Sequence, residues 1–214
     1  MIFSLYKIFR FIFYPLIFFA DFLQTNFTSK FTPMNMGPVA KDNYSKFIKK
    51  NIIKNSYVLD FGCGTGFFAK LFNPKKYLGV EINKNFVSVA RQVNSKYNFR
   101  ILDKNYLAGF ENKINLIFIN NVLHHLTDKQ IFDTFYYFQK KLNKNTKIFI
   151  IEPLFPKTFF SLEFFMKVID IGNNIKTKKK YINLFKKLVK IHKYNIKKVE
   201  IGSVLIVKGQ IKKL

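Results

Sequence analysis

The chain has 214 residues, 49% of them hydrophobic, enough for one domain with a complete core and a short appendage. A single cysteine, Cys63, excludes an intramolecular disulfide framework and fits a reducing compartment. The formal net charge of +25 invites a nucleic-acid or anionic-membrane partner. Yet the excess is almost all lysine, in a chain crowded with Asn, Ile, Phe and Tyr, residues that share AT-rich codons, so biased composition competes with a basic partner as its source.

Met1 to Leu23 is apolar and aromatic, with Lys7 and Arg10 near its start and Asp21 near its end. The uncharged run from Phe11 to Ala20 falls well short of the roughly 20 residues that a bilayer-spanning helix needs. No A-x-A cleavage site follows it, and Pro15 would kink or split a helix there. Two readings stay open for residues 1–30. They are an interfacial anchor whose aromatics enter the lipid boundary while Lys7 and Arg10 meet headgroups, or a lid packed over a substrate pocket. Phe27 to Val39, with Pro33, Gly37 and Pro38, reads as a linker, and the globular domain begins near Lys41.

Tyr44, Phe47, Ile48 and Ile52 recur at helical spacing and predict an amphipathic helix over 42–53. The stretch VLDFGCGTGFF, Val58 to Phe68, reads as a buried strand, a glycine turn and a helix. Gly62, Gly64 and Gly66 let the backbone turn tightly and approach a ligand, and the helix over 67–72, ended by Asn73 and Pro74, would turn its first amides toward that ligand. Asp60 puts negative charge where a pyrophosphate would be repelled. A dinucleotide fingerprint would need glycine at position 67, which is Phe, and no lysine completes a Walker pattern. A cationic or polar ligand is favoured. Cys63 reads as a small packed residue of the turn, not a nucleophile.

YLGVE, Tyr77 to Glu81, is a second apolar strand ending in a carboxylate about 20 residues after the first, where Rossmann-like folds hold a ribose. Asn85 to Val93 predicts a helix and Phe99 to Leu102 a third strand. Asp103 then stands at a strand's carboxyl end, as a ligand-binding acid or else as a loop carboxylate or helix cap. Ile114 to Ile119 is a continuous apolar strand of the kind parallel sheets bury on both faces, ended by Asn120 and Asn121. His124 and His125 follow as neutral-pH proton-transfer candidates, with packing and backbone hydrogen bonding as the competing role. Their adjacency, with no i, i+4 or Cys partner, gives no zinc spacing, so no metal is expected. Thr127 with Gln130 forms a capping box for a helix running to about Leu142.

Taken in order, VLDFGCGTG, GVE, FRILD (Phe99 to Asp103) and INLIFINNVLHHL (Ile114 to Leu126) resemble the motifs of the class I S-adenosylmethionine-dependent methyltransferases, over roughly 43–208. The resemblance implies an α/β fold, a Rossmann-like seven-stranded methyltransferase sheet with helices on both faces and a C-terminal antiparallel hairpin. It implies S-adenosyl-L-methionine as cofactor, bound by Asp60, Gly62, Cys63, Gly64, Gly66, Glu81, Asp103, Asn120 and Asn121. On this reading the glycine backbone packs against the methionine part and Asp60 orients its amino group, directly or through water. Glu81 accepts from the ribose hydroxyls, Asp103 addresses the adenine, and Asn120 and Asn121 floor the site near the sulfonium. A cytosolic cofactor argues against export, giving a cytoplasmic location, on the inner membrane face if the N-terminal segment is an anchor.

Thr146 to Ile151 is a fifth strand, with Glu152 and Pro153 at its carboxyl end. Glu152 is a base or a ligand for a polar substrate group, or else a solvated turn carboxylate. With His125 and His124 it completes the catalytic candidates. Residues 154–193 turn helical and lysine-rich, with Phe159, Phe160, Phe164 and Phe165 before Lys176, Lys178, Lys179 and Lys180. The resembled family often places substrate-specific insertions here, and an aromatic wall beside lysines suits a lipophilic acceptor at an anionic membrane. Tyr194 to Glu200 and Val204 to Lys208 predict the closing hairpin, turning at Gly202 and Ser203. The chain thus divides into an N-terminal segment and linker, 1–40, and a methyltransferase domain, 41–214. The leading expectation is methyl transfer to a small or lipid-like acceptor. RNA is the alternative acceptor, and a cofactor-binding protein without turnover is the third reading. Family members acting on exocyclic base amines end the fourth strand with Asn or Asp, two prolines and an aromatic, and NNVL departs from that pattern.

Overall fold

The computed structural model describes residues 9, 11, 38–53, 55–156, 174–199 and 202–212. Apart from Phe9 and Phe11, the anchor-or-lid segment lies outside them, as do Phe159, Phe160, Phe164 and Phe165.

Seven strands form one sheet: β1 (Val58–Phe61), β2 (Tyr77–Glu81), β3 (Asn98–Ile101), β4 (Leu116–Asn120), β5 (Lys147–Pro153), β6 (Val189–Lys198) and β7 (Ser203–Ile211), in the order β3-β2-β1-β4-β5-β7-β6. β1 to β5 pair in parallel, and β7 inserts antiparallel between β5 and β6. The central strands are buried on both faces, as their unbroken apolar runs require. On one face Leu59, Phe61, Ile117 and Ile119 pack with α3 (Asp128–Lys141) and α4 (Lys178–Leu188). On the other, Val58, Tyr77, Leu116 and Phe118 pack with α1 (Pro38–Asn51) and α2 (Lys84–Val93). The expected two-faced α/β sheet with its antiparallel closing pair is therefore the observed architecture.

The helix starts follow local chemistry. α1 begins at Pro38, where a fixed φ and a missing N–H cost nothing, so Pro38 and Val39 belong to the helix and not to the expected linker. Asn83 caps α2 by accepting from the Asn85 and Phe86 amides, and the Thr127–Gln130 capping box opens α3.

Three expectations are corrected. No α-helix follows the glycine turn, where only a 3-10 turn forms at Ala69–Leu71. Gly62, Gly64 and Gly66 all take positive φ, which reverses the chain repeatedly, and Asn73–Pro74 leaves no room for a right-handed helix to grow. The helical stretch after β5 ends at Leu188, because Val189 pairs with Ile211 and starts an edge strand five residues ahead of Tyr194. Finally, Glu152 and Pro153 lie within β5, paired with Leu205 and Val204, not in a turn beyond it.

Candidate active site

The strand order reverses between β1 and β4, and the carboxyl ends of these two strands open the crevice in which α/β sheets bind ligands. The loop after β1 shapes one side of it. Its amides are already committed: Gly62 N and Cys63 N both donate to Val80 O, at 2.8 and 3.0 Å, Gly64 N donates to Glu81 Oε2 at 3.0 Å, and Gly66 N to Cys63 O at 3.0 Å. With these donors engaged and no helix N-terminus behind them, the loop lacks the cradle that a pyrophosphate requires. The expectation that helix amides face the ligand fails for the same reason. A Cβ at Gly62 would lie 2.5 Å from Val122 Cγ2, so the loop sits flush against the segment leaving β4.

Asp60, 3% exposed, accepts from the Tyr77 hydroxyl at 2.6 Å. Burial, with a smaller push from Glu81, raises its carboxyl to about 7 against the pull of the Tyr77 hydrogen bond. A carboxylate so placed favours a cation. Cys63 turns its thiol toward Gly79, where an added Cβ would lie 2.9 Å from Sγ. Burial and the nearby Asp60 and Glu81 charges raise this thiol well above its usual range, which suits the packed residue expected from the sequence.

Glu81, at the end of β2, accepts through Oε1 from the Ile82 and Asn83 amides, at 2.8 and 3.0 Å, as well as through Oε2 from Gly64. A carboxylate offers about four acceptor positions, so one on Oε2 is left for a ribose hydroxyl. Ile82 beside it is 72% exposed, an apolar surface at the rim that hydrophobic periodicity did not single out. Asp103 is exposed and caps its own loop by accepting from Asn105 N at 2.7 Å. Leu102 N, bonded to Glu81 O at 2.8 Å, holds that loop beside β2.

The opposite wall is the end of β4. Asn120 Oδ1 accepts from the Tyr44 hydroxyl at 2.8 Å, which turns the Asn120 amide group by a contact from α1. Tyr44 was read from the sequence as packing alone. Its ring does pack, 5.9 Å from that of Phe68, but a tyrosine's tip partner leaves no trace in spacing. Asn121 takes φ 57°, a conformation Asn tolerates, and starts the 3-10 turn Leu123–His125.

That turn rests on Glu152, which is 0% exposed. Its Oε1 accepts from Val122 N at 2.8 Å and Leu123 N at 2.7 Å, and its Oε2 from His124 N at 3.2 Å and His124 Nδ1 at 2.9 Å. Four donors fill the four acceptor positions of a carboxylate. Glu152 is therefore an anchor, and both the base reading and the solvated-turn reading are corrected. The two histidines part company: His124 is buried against Glu152, whereas His125 is exposed at the rim, its ring centroid 4.1 Å from that of His124. Among the described residues no cluster of His, Cys, Asp and Glu could hold a metal ion.

The profile of a family described as Methyltransferase domain matches residues 52–154, which contain the whole of this crevice. That match spans just under half of the chain, and the seven-stranded sheet around it is the fold of solved methyltransferases. Among curated relatives, this chain is 32% identical over 98 residues to ribosomal RNA small subunit methyltransferase A of Mesomycoplasma hyopneumoniae (strain 232), an alignment covering 44% of this chain and 38% of the relative. It is also 28% identical over 81 residues to malonyl-[acyl-carrier protein] O-methyltransferase of Hamiltonella defensa, covering 37% and 31%. Thus the chain spans well under half the length of the curated relatives it matches. Among solved structures, the PH0226 protein of Pyrococcus horikoshii OT3 superposes with a TM-score of 0.66 at 14% identity, covering 90% of this chain and 99% of that one. Magnesium protoporphyrin IX methyltransferase of Synechocystis PCC 6803, crystallised with bound SAH, gives 0.56 at 14%, covering 85% and 90%.

The donor set suits the family's cofactor. Asp60 would offer its charge to an ammonium, Glu81 an acceptor to a ribose hydroxyl, and Ile82 an apolar surface beside it. Two consequences are measurable. Because Asp60 has a raised folded pKa, ionising it costs stability as pH rises from its unfolded value near 4 through about 7. Asp60→Asn should therefore gain thermal stability over the wild type at pH 8 but not at pH 4. It should also bind S-adenosylhomocysteine roughly ten-fold or more weakly at pH 8, the loss of one charge-assisted hydrogen bond. Calorimetry at the two pH values checks both signs. Glu152→Ala, which strands four donors, should cost about 3–5 kcal/mol in urea unfolding, and Glu152→Gln, which keeps the Oε1 pair, clearly less.

Proposed function

We propose that this chain is a methyltransferase that moves the methyl group of S-adenosyl-L-methionine to a small or lipid-like acceptor held at the His125 rim. The observation that carries this reading is where residues 154–156, after β5, meet residues 174–176. Leu154 bridges Lys176, Phe155 N donates to Lys176 O at 3.0 Å, and Asn174 N donates to His124 O at 2.8 Å. Residues 154–156 and 174–176 therefore meet beside the histidine turn, where the proposed acceptor meets the donor methyl. Lys176 itself is 8% exposed and serves this closure: its Nζ lies 3.0 Å from Asn174 O and 3.1 Å from Asp128 Oδ1. It is not part of a headgroup-facing lysine run, which corrects the sequence reading for that residue.

The cofactor, when bound, supplies an electrophilic methyl on a sulfonium, and transfer is an in-line displacement in which the acceptor gives up a proton. The protein's contribution is alignment, worth on the order of 7–11 kcal/mol where reactants are well oriented. Asp60 and Glu81 fix the donor's two ends, while Asn120, set by Tyr44, and the Glu152-anchored turn fix the wall opposite. His125 is the exposed group at the rim able to take the proton near neutral pH.

RNA is the second reading, favoured by the name of the Mesomycoplasma relative. Against it, β4 ends in NNVL, without the proline pair and aromatic of enzymes that methylate base amines. Incubating the protein with methyl-labelled S-adenosylmethionine and cell extract, then separating organic-soluble, small polar, RNA and protein fractions, decides between them. Label is expected in the organic or small polar fraction, and label in RNA alone would overturn the proposal. We further propose that residues 1–30 contact anionic membrane. Among the described residues no helix is long and apolar enough to cross one. Deleting 1–30 should release the protein from phosphatidylglycerol vesicles, and binding unchanged by the deletion removes the anchor.

A further inference from the structure

Among the described residues, no helix covers the far end of the sheet face that α1 and α2 cover near the crevice, where β5 begins, β7 ends and β6 begins. Directly paired residues share a face. Lys147 pairs with Gln210, which pairs with Lys190, and in the next row Phe149 pairs with Lys208, which pairs with Lys193. From Lys190 to Lys193 the strand spans about 10 Å at roughly 3.3 Å per residue. Two cavities flank these rows. One of about 260 Å³ is lined by Lys147, His192, Lys193 and Lys208, and one of about 280 Å³ by Lys144, Lys190 and Lys212. Neither lining contains a carboxylate.

This arrangement differs from lysines scattered over a surface by biased composition. Like charges directly opposite on paired strands destabilise a sheet, and Lys193 stands directly opposite Lys208. Lys208 is recessed, with Nζ donating to Asn51 O at 3.1 Å and Asn51 Oδ1 at 2.9 Å, and burial together with Lys193 lowers its pKa. A partner that brings a row of negative charges would relieve this repulsion. Concave cavities with a recessed ammonium suit phosphates that enter them singly, whereas a bilayer presents a plane. Six lysines around two cavities suit several phosphates on one chain, not a single small anion.

We propose that the open β5-β7-β6 face binds the phosphodiester backbone of single-stranded RNA. It lies at the amino-terminal end of the parallel strands, remote from the crevice, so it is an anchoring surface whatever the methyl acceptor. The test is anisotropy of a labelled 20-nucleotide RNA titrated with full-length protein between 50 and 200 mM salt. It compares Lys147→Glu/Lys190→Glu/Lys193→Glu with a control of equal charge change, Lys75→Glu/Lys96→Glu/Lys179→Glu. The face variant should bind roughly thirty-fold more weakly, with a log–log salt slope shallower by about 2, since each phosphate contact on a single strand contributes about 0.7. The control should stay within about threefold of the wild type. Retained S-adenosylhomocysteine binding reports an intact fold, and Lys→Gln at the same three positions replaces Glu if it does not. Equal losses in the two variants would overturn the proposal, as would unchanged RNA binding by the face variant. Face-dependent binding to phosphatidylglycerol vesicles without RNA binding would also overturn it.

Discussion

One buried carboxylate holds the acceptor side of this fold together. Where β4 ends, the chain must turn away from the sheet, and the amides of Val122, Leu123 and His124 lose their ladder partners. Glu152, one strand over, collects all three and the His124 ring as well. An unpaired buried N–H costs more than a hydrogen bond returns, so the turn has one low-energy position, set by β5. The consequences run outward. Val122 is held against Gly62, which fixes the gap between the two loops, and the His124 carbonyl is held where Asn174 can close the segment after β5.

Glu81 plays the matching part on the cofactor side, collecting amides from its own loop and from the glycine turn. The crevice is thus framed by two acids on β2 and β5. Each uses acceptor positions to rigidify loops, and only Glu81 keeps one over. That difference separates a ligand-binding acid from a structural one, although both stand at strand ends.

Much of this was legible in the sequence. Apolar runs ending in Asp60, Glu81 and Asn120 located the strand ends, and glycine spacing with the wrong residue at 67 excluded a dinucleotide loop. The role of Glu152 was not legible, because a strand-end acid reads alike whether it faces solvent or four amides, and only the register of β5 against β7 buries it. Nor was the Tyr44 to Asn120 contact, which joins residues 76 positions apart through a hydroxyl. The missing helix after the glycine turn failed for a further reason. Phe67 to Phe72 has an acceptable helical composition, but three left-handed residues just before it leave no straight entry.

The outermost strand carries a consequence of its own. Among the described residues β6 is a sheet edge, and such an edge is a template for any extended chain that reaches it. Here most of its residues are exposed and four are lysines, so a second copy adding edge to edge would bring like charges within about 5 Å of one another. The lysines therefore guard the sheet against self-association as long as they stay charged and unscreened. Strong salt or alkaline pH would remove that guard, and the soluble lifetime of the protein is set as much by its buffer as by its core.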